Sequence, residues 1–115
     1  MPFLVVSALA RVEVPAALWC KSRNGQLSAE HAGILCAAFE AEWVDDALLA
    51  AVAPVTAVLD DAARLVAGHG LRAYDAVQLA SALAARRADD QVDGFACYDI
   101  DLRAAAAREG FELVV

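Results

Sequence analysis

Short apolar runs rich in Val and Phe alternate with longer Ala- and Leu-rich stretches at helical spacing, and short loops join them. That alternation predicts an α/β fold with a mainly parallel sheet, because each strand-to-helix step returns the chain to the same sheet edge. The 115 residues suffice for one compact domain. Hydrophobic residues make up 61%, much of it Ala, so the core is expected to consist of many small side chains. No linker, repeat or low-complexity tract divides residues 1–115, and a single domain is expected.

Pro2 to Val6 reads as a buried strand ended by a polar residue. Ser7 is a plausible N-cap for a helix over Ala8 to Ser22, with Leu9, Val12, Ala16 and Trp19 on its apolar face. Pro15 removes the bond to the Arg11 carbonyl and predicts a kink. Asn24-Gly25 ends the helix. Ser28 caps a second helix, Ala29 to Trp43, with Ile34, Leu35, Ala38 and Phe39 inward and Glu30, Glu40 and Glu42 solvated. His31, in its first turn, reads as a surface residue. Asp45-Asp46 begin a loop, and Leu48 to Val55 reads as a strand interrupted by Pro54.

Thr56 caps a third helix, Ala57 to Ala67, with Val58, Ala62, Leu65 and Val66 inward and Asp60 and Asp61 on its solvated face. Gly68-His69-Gly70 forms its C-cap, with His69 as a loop residue. The stretch from Leu71 to Arg87 has no Gly or Pro, and its apolar residues nearly encircle it, so it should be a helix packed on several sides. Phe95 to Tyr98 reads as a buried strand with Asp99 at its C-terminal end. Leu102 to Arg108 forms a last helix and Phe111 to Val115 a last strand.

The net charge of −7 argues against a protein that coats nucleic acid through Lys and Arg. It leaves open an enzyme that meets phosphates through a cation held by carboxylates. Cys20, Cys36 and Cys97 show neither metal nor disulfide spacing and read as small buried hydrophobes. The opening segment lacks the basic start of a signal peptide, and no apolar run reaches the ~20 residues that span a bilayer. A cytoplasmic protein without membrane association is expected.

Three carboxylates lie in apolar settings: Glu13 in the first helix, Asp75 in the first turns of the Leu71–Arg87 helix, and Asp99 after a strand. Sites in parallel sheets collect at the C-terminal strand ends, so the three can meet on one rim. Clustered carboxylates repel unless protons or a cation intervene. Oxygen ligands with open positions suit Mg²⁺ or Mn²⁺, which activate water for phosphodiester hydrolysis. Acids at helix starts also occur simply as dipole partners. Arg11 and Arg72, near the rim, are candidates for phosphate contact or for surface ion pairs, and Tyr74 reads as packing rather than base stacking.

The segments Ser7-Ala8-Leu9-Ala10-Arg11-Val12-Glu13-Val14-Pro15-Ala16-Ala17-Leu18, Leu71-Arg72-Ala73-Tyr74-Asp75-Ala76-Val77-Gln78-Leu79-Ala80 and Phe95-Ala96-Cys97-Tyr98-Asp99-Ile100-Asp101-Leu102 resemble, in order and spacing, those of PIN-domain ribonuclease toxins of the VapC type. The resemblance implies a three-layer α/β/α PIN-like fold, Mg²⁺ or Mn²⁺ as cofactor, RNA as substrate, a small antitoxin as partner and a homodimer. It places Glu13, Asp75 and Asp99 at three of the family's four acidic positions, as metal ligands and catalytic residues. The family's opening strand, with its Asp, has no counterpart ahead of Phe3 to Val6. An N-terminally truncated PIN-like domain is therefore expected, either a ribonuclease, with activity impaired by the truncation, or an inactive module that binds antitoxin and dimerises.

Overall fold

The computed structural model describes residues 4–44 and 49–114. The protein is α/β: β1 (Leu4–Ser7), α1 (Ala10–Arg23), α2 (Ala29–Val44), β2 (Leu49–Val52), α3 (Thr56–His69), α4 (Ala73–Ala88), β3 (Gly94–Phe95), α5 (Ile100–Arg108) and β4 (Glu112–Leu113). The strands are short and form two pairs, β1 with β2 and β3 with β4, where a larger sheet was expected. The β3–β4 pair is parallel, Gly94 opposite Glu112 and Phe95 opposite Leu113. The chain divides into two compact units, Met1–Ala51 and Val52–Val115. Asp45, Asp46 and Leu48 of the expected loop and strand lie outside the described residues, as do Pro2 and Phe3.

In the first unit α1 packs against α2. Trp19 lies beside Gly33, where a Cβ would stand 4.0 Å from the indole, in ordinary contact. Arg11 spans the same pair of helices, 2.6 Å from Glu40 and 5.8 Å from the Trp43 ring centroid, and so is an ion-paired surface residue. Ser7 ends β1 instead of capping α1; its hydroxyl accepts from Leu9 N–H at 3.3 Å, and Leu9 occupies the N-cap. The helix continues through Pro15, which cannot donate the bond to the Arg11 carbonyl. Asn24 and Gly25 end it, Gly25 at φ +76°. Ser28 does cap α2, accepting from His31 N–H at 3.0 Å, and His31 is exposed. Ser28→Ala should cost about 1 kcal/mol in a urea melt.

The expected inward faces of α1 and α2 are not buried: Val12 is 70% and Ile34 58% exposed, and Leu4 of β1 is also exposed. In Ala-rich helices most faces are apolar, so spacing alone does not say which face is covered.

The second unit holds most of the core. Val58, Ala62 and Leu65 of α3 pack on Ala76, Val77, Leu79, Ala80 and Leu83 of α4, while Val66 is exposed. Thr56 begins α3, but the N-cap is Val55 and no side chain bonds there. Leu102, Ala105 and Ala106 of α5, with Phe95 and Phe111, complete the core. The two Phe rings lie 5.7 Å apart. A Cβ at Gly94 would stand 2.7 Å from Val114 Cγ2, so a larger residue there would have to displace that exposed side chain.

Asp61 and His69 are not the solvated acid and loop histidine that the sequence suggests. Asp61 is largely buried and paired with Arg64 at 2.9 Å and Arg87 at 3.3 Å. His69 Nε2 lies 2.8 Å from Glu109 Oε2, tying the end of α3 to that of α5. The His69 hydrogen bond holds the Glu109 carboxyl below its ordinary range; partial burial opposes it and Arg64 adds to it. A carboxylate with a lowered folded pKa stabilises above its unfolded value, and that contribution disappears as pH falls through the folded value. Wild type should therefore melt above Glu109→Gln near neutral pH. The two curves should converge well below the ordinary value of 4.5.

Candidate functional site

The connection from α3 to α4 is short and fixed. Gly70, at φ +67°, turns the chain out of α3, and its N–H donates to the Val66 carbonyl. Leu71 is buried and anchors the turn. Arg72 is then the extended N-cap of α4, which puts Asp75 in the first helical turn. There the helix dipole favours an anion.

Asp99 arrives from another direction and in another role than expected. The strand ends at Phe95, the chain from Ala96 to Tyr98 is irregular, and Asp99 is the N-cap of α5. Its Oδ1 accepts from Leu102 N–H at 2.9 Å. Oδ2 remains to face Arg72 Nη2 at 3.3 Å. The same nitrogen is 3.1 Å from Asp75 Oδ2, and Arg72 Nε donates to that oxygen at 3.2 Å. One guanidinium thus bridges both carboxylates. Since Arg72 is 79% exposed, this bridge is screened by water and contributes little to stability.

Arg103 donates to the Cys97 carbonyl at 3.2 Å and steadies the approach to Asp99. Burial pushes the Cys97 thiol up, which disfavours the reactive thiolate. The expected burial of all three cysteines does not hold: Cys20 is exposed, Cys36 and Cys97 are half-buried, and all are free thiols.

Gly70, Leu71, Arg72, Asp75, Asp99 and Asp101 line a cavity of about 290 Å³. Asp101 joins the lining as well, and its spacing from Asp99 across one residue is the sequence signal that points to it. Of the three sequence-derived acids, Asp75 and Asp99 belong to this cluster. Glu13 is a half-buried residue of α1 in the first unit. Among the described residues no group of three or more His, Cys, Asp or Glu side chains is arranged to hold a metal ion.

The Asp75 and Asp99 carboxylates are hard oxygen donors, the type that a divalent ion takes. Mg²⁺ is commonly held by one or two carboxylates, with water and substrate oxygens completing its shell. The two oxygens already face one cationic group, the Arg72 guanidinium, which solvent can stabilise if it swings away.

Two aromatic residues differ from the sequence reading. Tyr74 is 62% exposed and Tyr98 88% exposed, so neither serves as core packing. Tyr74 follows Ala73 on the outer side of α4, whose buried face begins at Ala76. Among the described residues no helix is long and apolar enough to cross a membrane. No protein-family model and no curated protein matches the chain.

Proposed function

We propose that this protein is a metal-dependent ribonuclease of the toxin type, with Asp75 and Asp99 holding Mg²⁺ or Mn²⁺. The observation that supports this most strongly is the convergence of two carboxylates, one from the first turn of α4 and one from the cap of α5, on a single cationic centre. The three segments that resemble VapC-type PIN domains contain both acids. On that reading the fold is a three-layer PIN-like α/β/α arrangement, and Glu13 joins the metal site or orients the attacking water. A small antitoxin, a homodimeric state and a cytoplasmic setting belong to the same proposal.

When bound, the ion would lower the pKa of a coordinated water and neutralise charge on the scissile phosphodiester. The protein's own groups do the rest. Asp99 stays fixed by its bond to the α5 N-terminus, so its second oxygen keeps a constant direction. Asp75 faces the Arg72 guanidinium from the first turn of α4. Arg72, released from the carboxylates, is long enough to pair with a phosphate oxygen of the substrate.

The test is hydrolysis of single-stranded RNA by purified protein. Cleavage is expected with Mg²⁺ or Mn²⁺, to stop with excess chelator and to return when metal is restored. Metal-independent cleavage, or none under any metal, would count against the proposal. In the second case, co-purification with a small protein co-expressed from the neighbouring gene would favour the inactive antitoxin-binding module.

A further inference from the structure

Arg72 occupies the position of a cation between the two carboxylates. Its Nη2 lies 3.1 Å from Asp75 Oδ2 and 3.3 Å from Asp99 Oδ2, and its Nε donates to the Asp75 oxygen at 3.2 Å. At Asp99 the choice of oxygen is constrained. Oδ1 accepts from Leu102 N–H at 2.9 Å in the α5 cap, so Oδ2 is the freer of the two. A divalent ion and the guanidinium therefore draw on the same oxygen, and cations that share one carboxylate repel each other.

The hold is loose. The Arg72 side chain is 79% exposed, so water takes over its hydrogen bonds once it turns away. Gly70, at φ +67°, and buried Leu71 fix the backbone, so the side chain alone has to move. Asp75, Asp99 and Asp101 line the cavity, and Arg72 is the basic residue among the described residues that line it. With Arg72 turned outward these acids face one another without a counter-charge, which is unfavourable until a positive ion enters.

We infer that Arg72 is an internal counter-ion that closes the Asp75–Asp99 pair, so that a divalent ion loads only by displacing it. The inference rests on the metal-dependent reading and adds regulation to it: Arg72 sets the ion concentration at which the site fills.

The experiment follows free Mn²⁺ by electron paramagnetic resonance as Mn²⁺ alone is titrated into the full chain. Arg72→Gln removes the charge and keeps a polar side chain. It is expected to bind Mn²⁺ about ten-fold more tightly than wild type, since two exposed ion pairs and one repulsion are removed together. Arg72→Lys keeps the charge but not the fork that reaches both carboxylates, and its affinity should fall between the two. Arg103→Gln is the control. It removes an equal charge one turn after Asp99, from a side chain that donates to the Cys97 carbonyl, and should change affinity by less than about two-fold. In the wild type, the Arg72 Nε–H resonance, identified by its loss in Arg72→Gln, should shift on saturation with diamagnetic Mg²⁺. Melting temperatures without metal should barely move, because Arg72 is exposed.

Equal Mn²⁺ affinity in wild type and Arg72→Gln would overturn the inference. Weaker binding in that variant would do the same, making Arg72 a support of the site instead of its competitor. A gain in Arg103→Gln that matches Arg72→Gln would reduce the effect to net charge and overturn it too, as would an Arg72 Nε–H signal unmoved by saturating Mg²⁺. Each of these results leaves the metal site itself standing. No Mn²⁺ binding in any of the four proteins removes the metal-dependent reading, and the inference with it.

Discussion

On the proposed ribonuclease reading, Asp75→Asn is expected to lower RNA cleavage by roughly a hundredfold or more, a loss typical of removing a group that holds or faces the reacting centre. The substitution preserves shape and removes one negative charge from the cavity. Its structural cost should be small. The Arg72–Asp75 pair is mostly in water on the Arg side, and the helix-dipole contribution is about 0.3–1 kcal/mol. A large kinetic effect with a melting temperature shifted by only a few degrees would separate a site carboxylate from a structural one. Asp75→Asn protein that cleaves RNA like wild type, or that fails to fold, would be inconsistent with this account.

The largest stability effect should come from Leu79→Ala. Leu79 is fully buried at the centre of the α4 face that packs on α3. Its truncation removes a buried isobutyl group and leaves a cavity that the surrounding Ala residues are too short to fill. A loss of about 2–5 kcal/mol is expected in chemical denaturation. By contrast, Val12→Ala on α1 should cost well under about 1 kcal/mol, because the side chain is 70% exposed.

The contrast between these two positions also shows what can be read from the sequence. The Leu71–Arg87 stretch announced a helix, found at Ala73–Ala88, and its apolar spacing holds for Ala76, Val77, Leu79, Ala80 and Leu83, which are buried, but not for Ala73, which is exposed, or Ala84, which is half-buried. The Ser28 cap, the Asn24-Gly25 stop and the Gly70 turn were legible from local chemistry. The buried faces of α1 and α2 were not, because an Ala-rich pattern satisfies several faces at once. The cap role of Asp99 was hidden by the apolar run before it, which looks like a strand but forms one only at Gly94–Phe95. In the site, the Arg72–Asp75 spacing is local and readable, whereas the Arg72–Asp99 and His69–Glu109 contacts join distant segments whose meeting depends on how α4 and α5 pack. The sequence reads Tyr74 as packing because its helix is largely buried, yet it lies on the face that is not.

The central claim is that Asp75 and Asp99 together form a divalent-cation site. Isothermal titration of Mg²⁺ into wild-type protein and into Asp99→Asn tests it most directly, because Asn at position 99 retains the helix cap while losing the charge. The account predicts one binding event in the wild type that is absent or far weaker in the variant. Identical titrations for the two proteins, whether both bind or neither does, would contradict it.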